Sequence, residues 1–189
     1  KRLFDKKLIY KGYTIQPYSP AAGTGLSSHE LNQPGCYRLV KDLSVFALFK
    51  VFWEGRLLKT RYPVFFVAWT TTPWTLFANT GLAVGKKINY VFVETINPNT
   101  LEKIVLICAE ECLNNLFDKQ TKKTLEKLGE SYKIIGSCLG ADLVELRYDQ
   151  LLKYVQPVDN PSSAFRVISA DFVNTGDGTG IVHLAPTFG

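Results

Sequence analysis

Residues 64–76 read VFFVAWTTTPWTL, and this stretch sets the structure around it. Its first half is a continuous apolar run, which is typical of a β-strand that is covered on both faces. Pro73 has no N–H to give to a central ladder, so the strand, predicted over residues 64–71, must end there. Thr72 can then act as the N-cap of a short helix over residues 73–79, with Pro73 in its first position.

The predicted helix brings polar side chains back towards the end of the strand. On an α-helix Thr75 and Asn79 share a face, because they are four residues apart. With Thr70, Thr71 and Thr72 they would form a polar pocket beside a helix N-terminus, where a neutral or developing negative oxygen is favoured. Hydroxyl groups can hold a ribose, a carbonyl or a water there. Such strand ends are also common without any ligand, so this stretch alone does not establish a site.

The rest of the chain shows short segments rich in β-branched and aromatic residues, separated by Gly, Pro and Asn. The predicted strands cover residues 37–40, 45–53, 64–71, 90–96, 104–109, 132–138, 165–173 and 180–184. An apolar stripe through Leu113, Leu116, Phe117, Leu125 and Leu128 predicts one helix that ends at Gly129. A second short helix is predicted over residues 149–154. We therefore expect a single α+β domain over residues 1–189, with a β-barrel-like core and a few peripheral helices.

Composition limits the class of protein. A chain of 189 residues with 46% hydrophobic and 21% charged residues can bury a core without disulfide or metal staples. The four cysteines, Cys36, Cys108, Cys112 and Cys138, contain no C-x-x-C pair, which argues against a zinc knuckle or a redox motif. No apolar run approaches the roughly 20 residues of a membrane-spanning helix. The first residues show neither an initiator Met nor a secretory signal, so we expect a cytoplasmic fragment of a longer protein.

The net charge of +5 permits a polyanionic partner but does not establish one. The lysines at positions 119, 122, 123 and 127 are interspersed with Asp118, Glu126 and Glu130. This mixture is more typical of a solvated helix face than of a nucleic-acid groove.

A second stretch, residues 174–189, reads NTGDGTGIVHLAPTFG. Gly176, Gly178 and Gly180 permit tight turns and close backbone approach, and the strand that follows carries His183. The pattern is neither a P-loop nor a dinucleotide fingerprint, and a lone histidine is more often structural than catalytic. Taken alone, this stretch is a weak signal.

Together the two stretches resemble one family. VAWTTTPWTLFAN (residues 67–79, the threonine motif) and DGTGIVHLAPTFG (residues 177–189, the histidine motif) are similar to the editing domain inserted into isoleucyl-tRNA synthetases, which are class I synthetases. PYSPAAGTGLSSHE (residues 17–30) and DLSVFALFK (residues 42–50) extend the resemblance over nearly the whole chain. Valyl and leucyl relatives usually carry Arg within the threonine motif, so the isoleucine type is favoured over an editing domain of those relatives.

The resemblance implies a hydrolase that cleaves valine from mischarged tRNA(Ile), and that can also act on valyl-adenylate. A missing methylene is worth only about 1–3 kcal/mol in a hydrophobic pocket, so a second, smaller site is needed to remove valine. The implied partners are the 3′ end of tRNA(Ile) and the catalytic body of the parent synthetase, with no membrane and no cofactor in this domain. ATP binding belongs to the parent enzyme. The alternatives are a catalytically silent module that holds the tRNA acceptor end and an unrelated binder of small molecules.

The resemblance also assigns roles to residues. The catalytic set that lines the pocket for the terminal adenosine, the ester and the water comprises Thr70, Thr71, Thr72, Thr75 and Asn79, with His183 as part of a size filter against the aminoacyl side chain. The substrate-binding set comprises Trp69 and Trp74, as wall and packing, with Gly178, Thr179 and Gly180. His29 matches a segment for which we expect a capping or packing role and no chemistry.

Two departures from the family pattern lead to expectations. The family aspartate that holds the substrate ammonium follows the final glycine of the histidine motif, and the sequence ends at Gly189. We expect weak substrate binding by this fragment, because an unpaired ammonium in a small pocket is costly. Ser19 and Ala22 stand where many members have zinc-binding cysteines, so no metal is expected from this segment.

Overall fold

The computed structural model describes residues 1–41 and 43–186, and its contacts divide the chain into two compact units with a boundary after Lys41. Whether the two units act as one editing domain over residues 1–189 stays a prediction. The strands are β1 (Tyr18–Ser19), β2 (Thr24–Gly25), β3 (Val45–Lys50), β4 (Val64–Thr70), β5 (Gly81–Val84), β6 (Asn89–Ile96), β7 (Lys103–Ala109), β8 (Lys133–Leu139), β9 (Arg166–Ser169) and β10 (Ile181–Leu184). The α-helices are α1 (Arg2–Asp5), α2 (Ser28–Leu31), α3 (Leu113–Leu116), α4 (Lys119–Lys127) and α5 (Gly140–Leu143), and the 3₁₀ helices are Pro73–Ala78, Glu110–Cys112 and Pro161–Ser163.

The first unit is built from a small hairpin and two short helices. β1 and β2 pair antiparallel, and α2 follows them. Ser27 caps α2 through a capping box, because its hydroxyl accepts from the Glu30 N–H while its own N–H donates to the Glu30 carboxylate at 2.7 Å. These hydrogen bonds lower the pKa of Glu30. The capping role predicted for the segment around His29 is therefore filled by Ser27 and Glu30, whereas His29 itself is exposed and contacts Gln33 at 3.0 Å. That His29 has no chemical role stays a prediction.

The second unit contains two sheets. One has the strand order β3-β4-β7-β6-β8 and the other the order β10-β5-β9, and β10 packs against β4. The pairs β4-β7 and β5-β9 are parallel, whereas the other pairs are antiparallel. The α+β class is therefore as predicted, but the strands of residues 1–41 and 43–186 form separate sheets and not one closed barrel.

The three central strands of the five-stranded sheet, β4, β7 and β6, are buried on both faces. On one face Phe66 and Phe92 join a core shared with Leu82 and Ile181 of the three-stranded sheet. On the other face Val67 belongs to a second core, which α3 and α4 cover with Leu116, Phe117 and Leu125. This confirms for the run in β4 the expectation that it is covered by other elements, whereas the apolar run that begins in β3 leaves Val45, Phe46 and Phe52 exposed.

The predicted long helix is interrupted. Phe117 has φ −105° and ψ 62°, which is not helical, and the Asp118 carboxylate accepts from the Thr121 N–H at 2.7 Å to begin α4. Asp is a favoured N-cap, so the local signal prevails over the continuous apolar stripe. Gly129 ends α4 as predicted, with φ +69° and with the Glu130 N–H bonded to the Leu125 carbonyl at 2.9 Å.

Two other predictions are wrong. Residues 37–40 form no strand and are exposed, because an apolar pattern without a pairing partner does not make a strand. Residues 149–154 form no helix: the Asp149 N–H donates to the Lys50 carbonyl of β3 at 2.7 Å, and the residues that follow form only bends and turns.

β5 was not predicted. Its residues GLAV are all buried, but a four-residue run carries little periodic signal. Gly81 at its start and Gly85 directly after its end are the sequence features that could indicate its bounds. Along the described part of the chain the longest helix is the nine-residue α4, so no helix has the length and apolar character needed to cross a membrane.

Candidate functional site

The structure brings the threonine motif and the histidine motif together. The Thr75 hydroxyl lies 3.1 Å from His183 Nε2, across 108 positions of sequence. The Thr80 N–H donates to the Leu184 carbonyl at 3.0 Å, which fixes the end of the threonine motif to β10. His183 sits in β10 opposite Leu82 of β5. The two distant motifs therefore meet in the structure.

The hydrogen bonds of Thr75 define the tautomer of His183. The Thr75 hydroxyl donates its one proton to the Thr72 carbonyl at 2.8 Å. It can therefore only accept from His183, so Nε2 carries the ring proton and Nδ1 carries a lone pair. Burial lowers the pKa of His183 below its usual value of 6.5, which favours this neutral form near pH 7.

His183 Nδ1 is buried without a hydrogen-bond partner among residues 1–41 and 43–186. A buried polar atom of this kind costs about 1–3 kcal/mol, and such atoms concentrate at functional positions. The ring is therefore neutral, fixed at one nitrogen and unpaired at the other.

The three consecutive threonines differ in exposure. Thr70 ends β4 and is 7% exposed, and its hydroxyl accepts from the Thr72 N–H at 3.1 Å and lies 3.2 Å from the Thr72 hydroxyl. Thr71 and Thr72 are exposed. Thr72 precedes the 3₁₀ helix as predicted, but its side chain makes no capping hydrogen bond. Within the described chain no hydrogen bond occupies the Thr71 hydroxyl, so it is free to bond to a ligand.

Thr75 and Asn79 do not act on a common α-helical face. The segment Pro73–Ala78 is a 3₁₀ helix, in which residues three apart and not four apart align. Thr75 faces His183, whereas Asn79 bonds to Gly81, Leu184 and Tyr148. The predicted juxtaposition of Thr75 with Asn79 on one helix face is therefore wrong, although both side chains are buried.

The glycine turn before β10 packs closely against Trp69 of β4 and Ala109 of β7. Gly178 has φ +73°, and a Cβ there would lie 3.3 Å from the Trp69 ring. Gly180 has φ +71°, and its Cβ would lie 2.4 Å from the Ala109 Cβ. Thr179 is 1% exposed, and its carbonyl accepts from the Ala109 N–H at 2.8 Å. These contacts give the turn a structural role, and a direct substrate contact of these residues stays a prediction.

The two tryptophans occupy different environments. Trp69 is half-buried against the glycine turn, which agrees with a packing role. Trp74 is 64% exposed, so the packing part of its predicted role is wrong. The outward direction follows from the 3₁₀ helix, which turns Thr75 and Leu76 inwards instead. A wall role for either ring stays a prediction.

Neither of the two described cavities is lined by a residue of the threonine or histidine motif. One, of about 650 Å³, is bounded by β3, β6, β7 and the helices α3 and α4. The other, of about 230 Å³, is lined by residues that include Tyr148 and Phe165. Neither is lined by a residue predicted for the site, so a substrate pocket between the motifs stays a prediction. Gly189, after which the family aspartate is expected, lies outside the described residues.

No group of three or more His, Cys, Asp or Glu side chains suited to a metal ion occurs in residues 1–41 and 43–186. Where cysteines were expected in relatives, the Ser19 hydroxyl accepts from the Ala22 N–H at 3.2 Å to close a turn. That the domain takes no metal or cofactor stays a prediction.

Two tyrosines outside the motifs contact them, and sequence reasoning missed both. The Tyr90 hydroxyl donates to the Gly180 carbonyl at 2.6 Å and accepts from the Gly85 N–H at 3.1 Å. The Tyr148 hydroxyl donates to Asn79 Oδ1 at 2.7 Å. Both rings are at most 1% exposed. The sequence signal available was only that a buried tyrosine usually finds a partner for its hydroxyl.

Known proteins resemble the chain in sequence and in fold. It is 53% identical, over its whole length, to isoleucine–tRNA ligases of Cytophaga hutchinsonii and Bacteroides fragilis, and 40% identical to that of Picrophilus torridus. It spans 17% of the length of the first two and 16% of the third. No family model matches the chain.

Two solved structures share the fold at low sequence identity. The leucyl-tRNA synthetase domain GlLeuRS-CP1 aligns with a TM-score of 0.54 at 18% identity, over 76% of this chain and 55% of that one. The editing domain of the cytosolic leucyl-tRNA synthetase of P. knowlesi aligns with a TM-score of 0.54 at 14% identity, over 75% of this chain and 58% of that one. By sequence the chain therefore matches a segment of the isoleucine–tRNA ligases, and its fold is that of the class I synthetase editing (CP1) domains.

Proposed function

We propose that this chain hydrolyses the ester that joins a wrongly attached valine to the 3′ end of tRNA(Ile), as the editing domain of an isoleucyl-tRNA synthetase. The observation that carries the proposal is the Thr75–His183 hydrogen bond, because it joins the two distant motifs at one place. The relatives named isoleucine–tRNA ligase support the isoleucine type. The proposed partners are tRNA(Ile) and the catalytic body of the synthetase, and the proposed compartment is the cytoplasm.

The proposed reaction needs no covalent enzyme intermediate. The oxygen of a water molecule attacks the ester carbonyl, and the C–O bond to the terminal ribose breaks. The proton released by the water ends on the ribose oxygen, which leaves free tRNA and valine. Positioned hydrogen-bond donors and acceptors can supply much of the rate in such a reaction.

The hydrogen bonds of the motif divide its residues between two roles in this proposal. Thr71 and Thr72 contact the terminal adenosine, the ester or the water, because their side chains are exposed. Thr70, Thr75 and Asn79 hold these groups in place, because their polar atoms are bonded within the protein. His183 forms a wall against the aminoacyl side chain, and its neutral state reduces the cost of lying beside an apolar group.

The test measures deacylation of valyl-tRNA(Ile) and isoleucyl-tRNA(Ile) by the full chain and by two variants. Thr71→Ala removes an exposed hydroxyl from the motif, and Thr100→Ala removes one from the exposed turn between β6 and β7. We expect the wild type to release valine faster than isoleucine. Thr71→Ala should slow valine release by about tenfold or more, which corresponds to roughly 1.4 kcal/mol, while Thr100→Ala leaves it unchanged.

The outcomes separate the proposal from its alternatives. If the wild type binds tRNA(Ile) but releases no valine, the chain is a silent binding module. If Thr71→Ala and Thr100→Ala behave alike, the contact role of Thr71 is wrong. Both substitutions lie on the surface, so each should change the free energy of unfolding by less than about 0.5 kcal/mol. A loss of activity in Thr71→Ala therefore cannot be assigned to unfolding.

A further inference from the structure

Tyr148 lies outside both motifs, and its position is fixed by its ring. The side chain is 1% exposed and contacts Phe49 and Phe165 edge-on, with centroids 5.3 Å and 6.2 Å away. Its backbone is also held, because the Tyr148 N–H donates to the Phe165 carbonyl at 3.0 Å. Such a ring presents its hydroxyl at one defined point.

The Tyr148 hydroxyl completes the hydrogen bonds of the Asn79 amide. Asn79 Nδ2 donates to the Gly81 carbonyl at 2.8 Å and to the Leu184 carbonyl at 3.3 Å, and because these carbonyls can only accept, they set the orientation of the amide. Oδ1 then accepts from the Tyr148 hydroxyl at 2.7 Å. Burial raises the pKa of the Tyr148 phenol, which therefore remains a donor throughout the working pH range. The Tyr148 hydroxyl is therefore the group that holds the amide oxygen of Asn79 in place.

Asn79 connects two parts of the site. It is the residue that follows the 3₁₀ helix Pro73–Ala78, which carries Thr75. Leu184, whose carbonyl it binds, is next to His183 in β10. The amide therefore ties the end of the helix to the strand, and the Thr75–His183 hydrogen bond lies between the same two elements.

We propose that Tyr148 is a positioning residue of the site, which acts through Asn79 to hold the helix of the threonine motif against β10. Its hydroxyl keeps the Thr75 oxygen within hydrogen-bond distance of His183 Nε2 and so maintains one ring tautomer. The residue does not touch the substrate. The kinetic consequence rests on the proposed function, whereas the consequence for His183 does not.

The kinetic test compares Tyr148→Phe with Tyr132→Phe in the full chain. Each substitution removes a hydroxyl and keeps a ring, but Tyr132 stacks on Phe117 beside the second core and contacts neither motif. Tyr148→Phe should lower kcat for valyl-tRNA(Ile) by about tenfold to a hundredfold, as expected for a small misplacement of reacting groups. KM should change less than about twofold, because no substrate contact is lost. Tyr132→Phe should change neither constant.

The second readout is the ¹⁵N NMR spectrum of the imidazoles, which requires no activity. The chain has only two histidines, and His29 belongs to the other unit. In the wild type and in Tyr132→Phe, His183 should show one neutral tautomer with its proton on Nε2. In Tyr148→Phe the two His183 nitrogens should move towards averaged shifts, which indicate a mixture of tautomers, while a thermal melt shows that the variant is folded at the assay temperature.

The two readouts distinguish failure of the inference from failure of the proposed function. If the wild type does not deacylate valyl-tRNA(Ile), the proposed function fails and the NMR comparison alone decides. If folded Tyr148→Phe keeps the wild-type His183 spectrum, the proposal is overturned, whatever its kcat. A mixed tautomer in Tyr148→Phe that is absent from Tyr132→Phe supports it.

Discussion

Gly180→Ala tests how closely the turn before β10 must approach β7. Gly180 has φ +71°, a conformation that costs an L-residue about 1–2 kcal/mol. The new Cβ would lie 2.4 Å from the Ala109 Cβ, and neither atom can rotate away because each is bonded to its backbone. Overpacking of this kind costs about 1–3 kcal/mol. The free energy of unfolding should therefore fall by about 2–5 kcal/mol in total.

Gly129→Ala is the matched control for this substitution. Gly129 has nearly the same φ, +69°, but no heavy atom lies within 4 Å of its added Cβ. The free energy of unfolding of Gly129→Ala should fall only by the conformational cost of the positive φ, about 1–2 kcal/mol. Urea denaturation of the wild type and both variants gives the comparison, and the difference between the variants measures the packing contribution. Equal losses in the two variants would refute the close-approach argument, as would a loss below about 1 kcal/mol in Gly180→Ala.

Three further predictions concern stability. Asn79→Ala should lower the free energy of unfolding by about 1–3 kcal/mol, because it leaves buried partners unpaired, and a urea titration showing less than about 0.5 kcal/mol would contradict this. Burial lowers the pKa of His183, so the unfolded chain binds a proton at this residue more readily than the folded chain does. The free energy of unfolding should therefore fall as the pH drops through 6.5 towards the pKa of the folded state. His183→Gln should flatten this fall and His29→Gln should not, as measured by denaturation at several pH values. Asp118→Ala should cost about 0.5–2 kcal/mol by removing the N-cap of α4, and an unchanged thermal midpoint would contradict it.

The strands of the five-stranded sheet could be predicted because each carries a long apolar or alternating run. β4, β6 and β7 were placed within one or two residues of their observed ends. Residues 37–40 also contain apolar and aromatic side chains but find no pairing partner, and a strand depends on such a partner. β5 shows the converse, since pairing on both sides by β10 and β9 makes a strand of four residues that have little signal of their own.

Tertiary contacts also decided which side chains meet at the site. The Thr-Pro sequence correctly predicted a helix after β4, but its type determined which side chains share a face, and the 3₁₀ form separates Thr75 from Asn79. Tyr90 and Tyr148 could not be assigned to the site from sequence. Tyr90 contacts Gly180, which lies 90 residues later in the chain, and Tyr148 contacts Asn79, which lies 69 residues earlier. No local sequence pattern indicates either contact.

The threonine motif therefore has an inner and an outer layer. Thr75 and Asn79 already use their polar atoms inside the protein, and a ligand would have to replace these bonds at a net cost of about 1 kcal/mol each. Thr71 and Thr72 lie outside, where hydrogen bonds to a ligand replace bonds to water. The polar side chains at the end of β4 are thus better explained by two separate roles, holding the structure and contacting a ligand, than by one pocket that they all line. In the proposed function, the inner groups hold β10 and His183 in place so that the outer groups present a rigid surface.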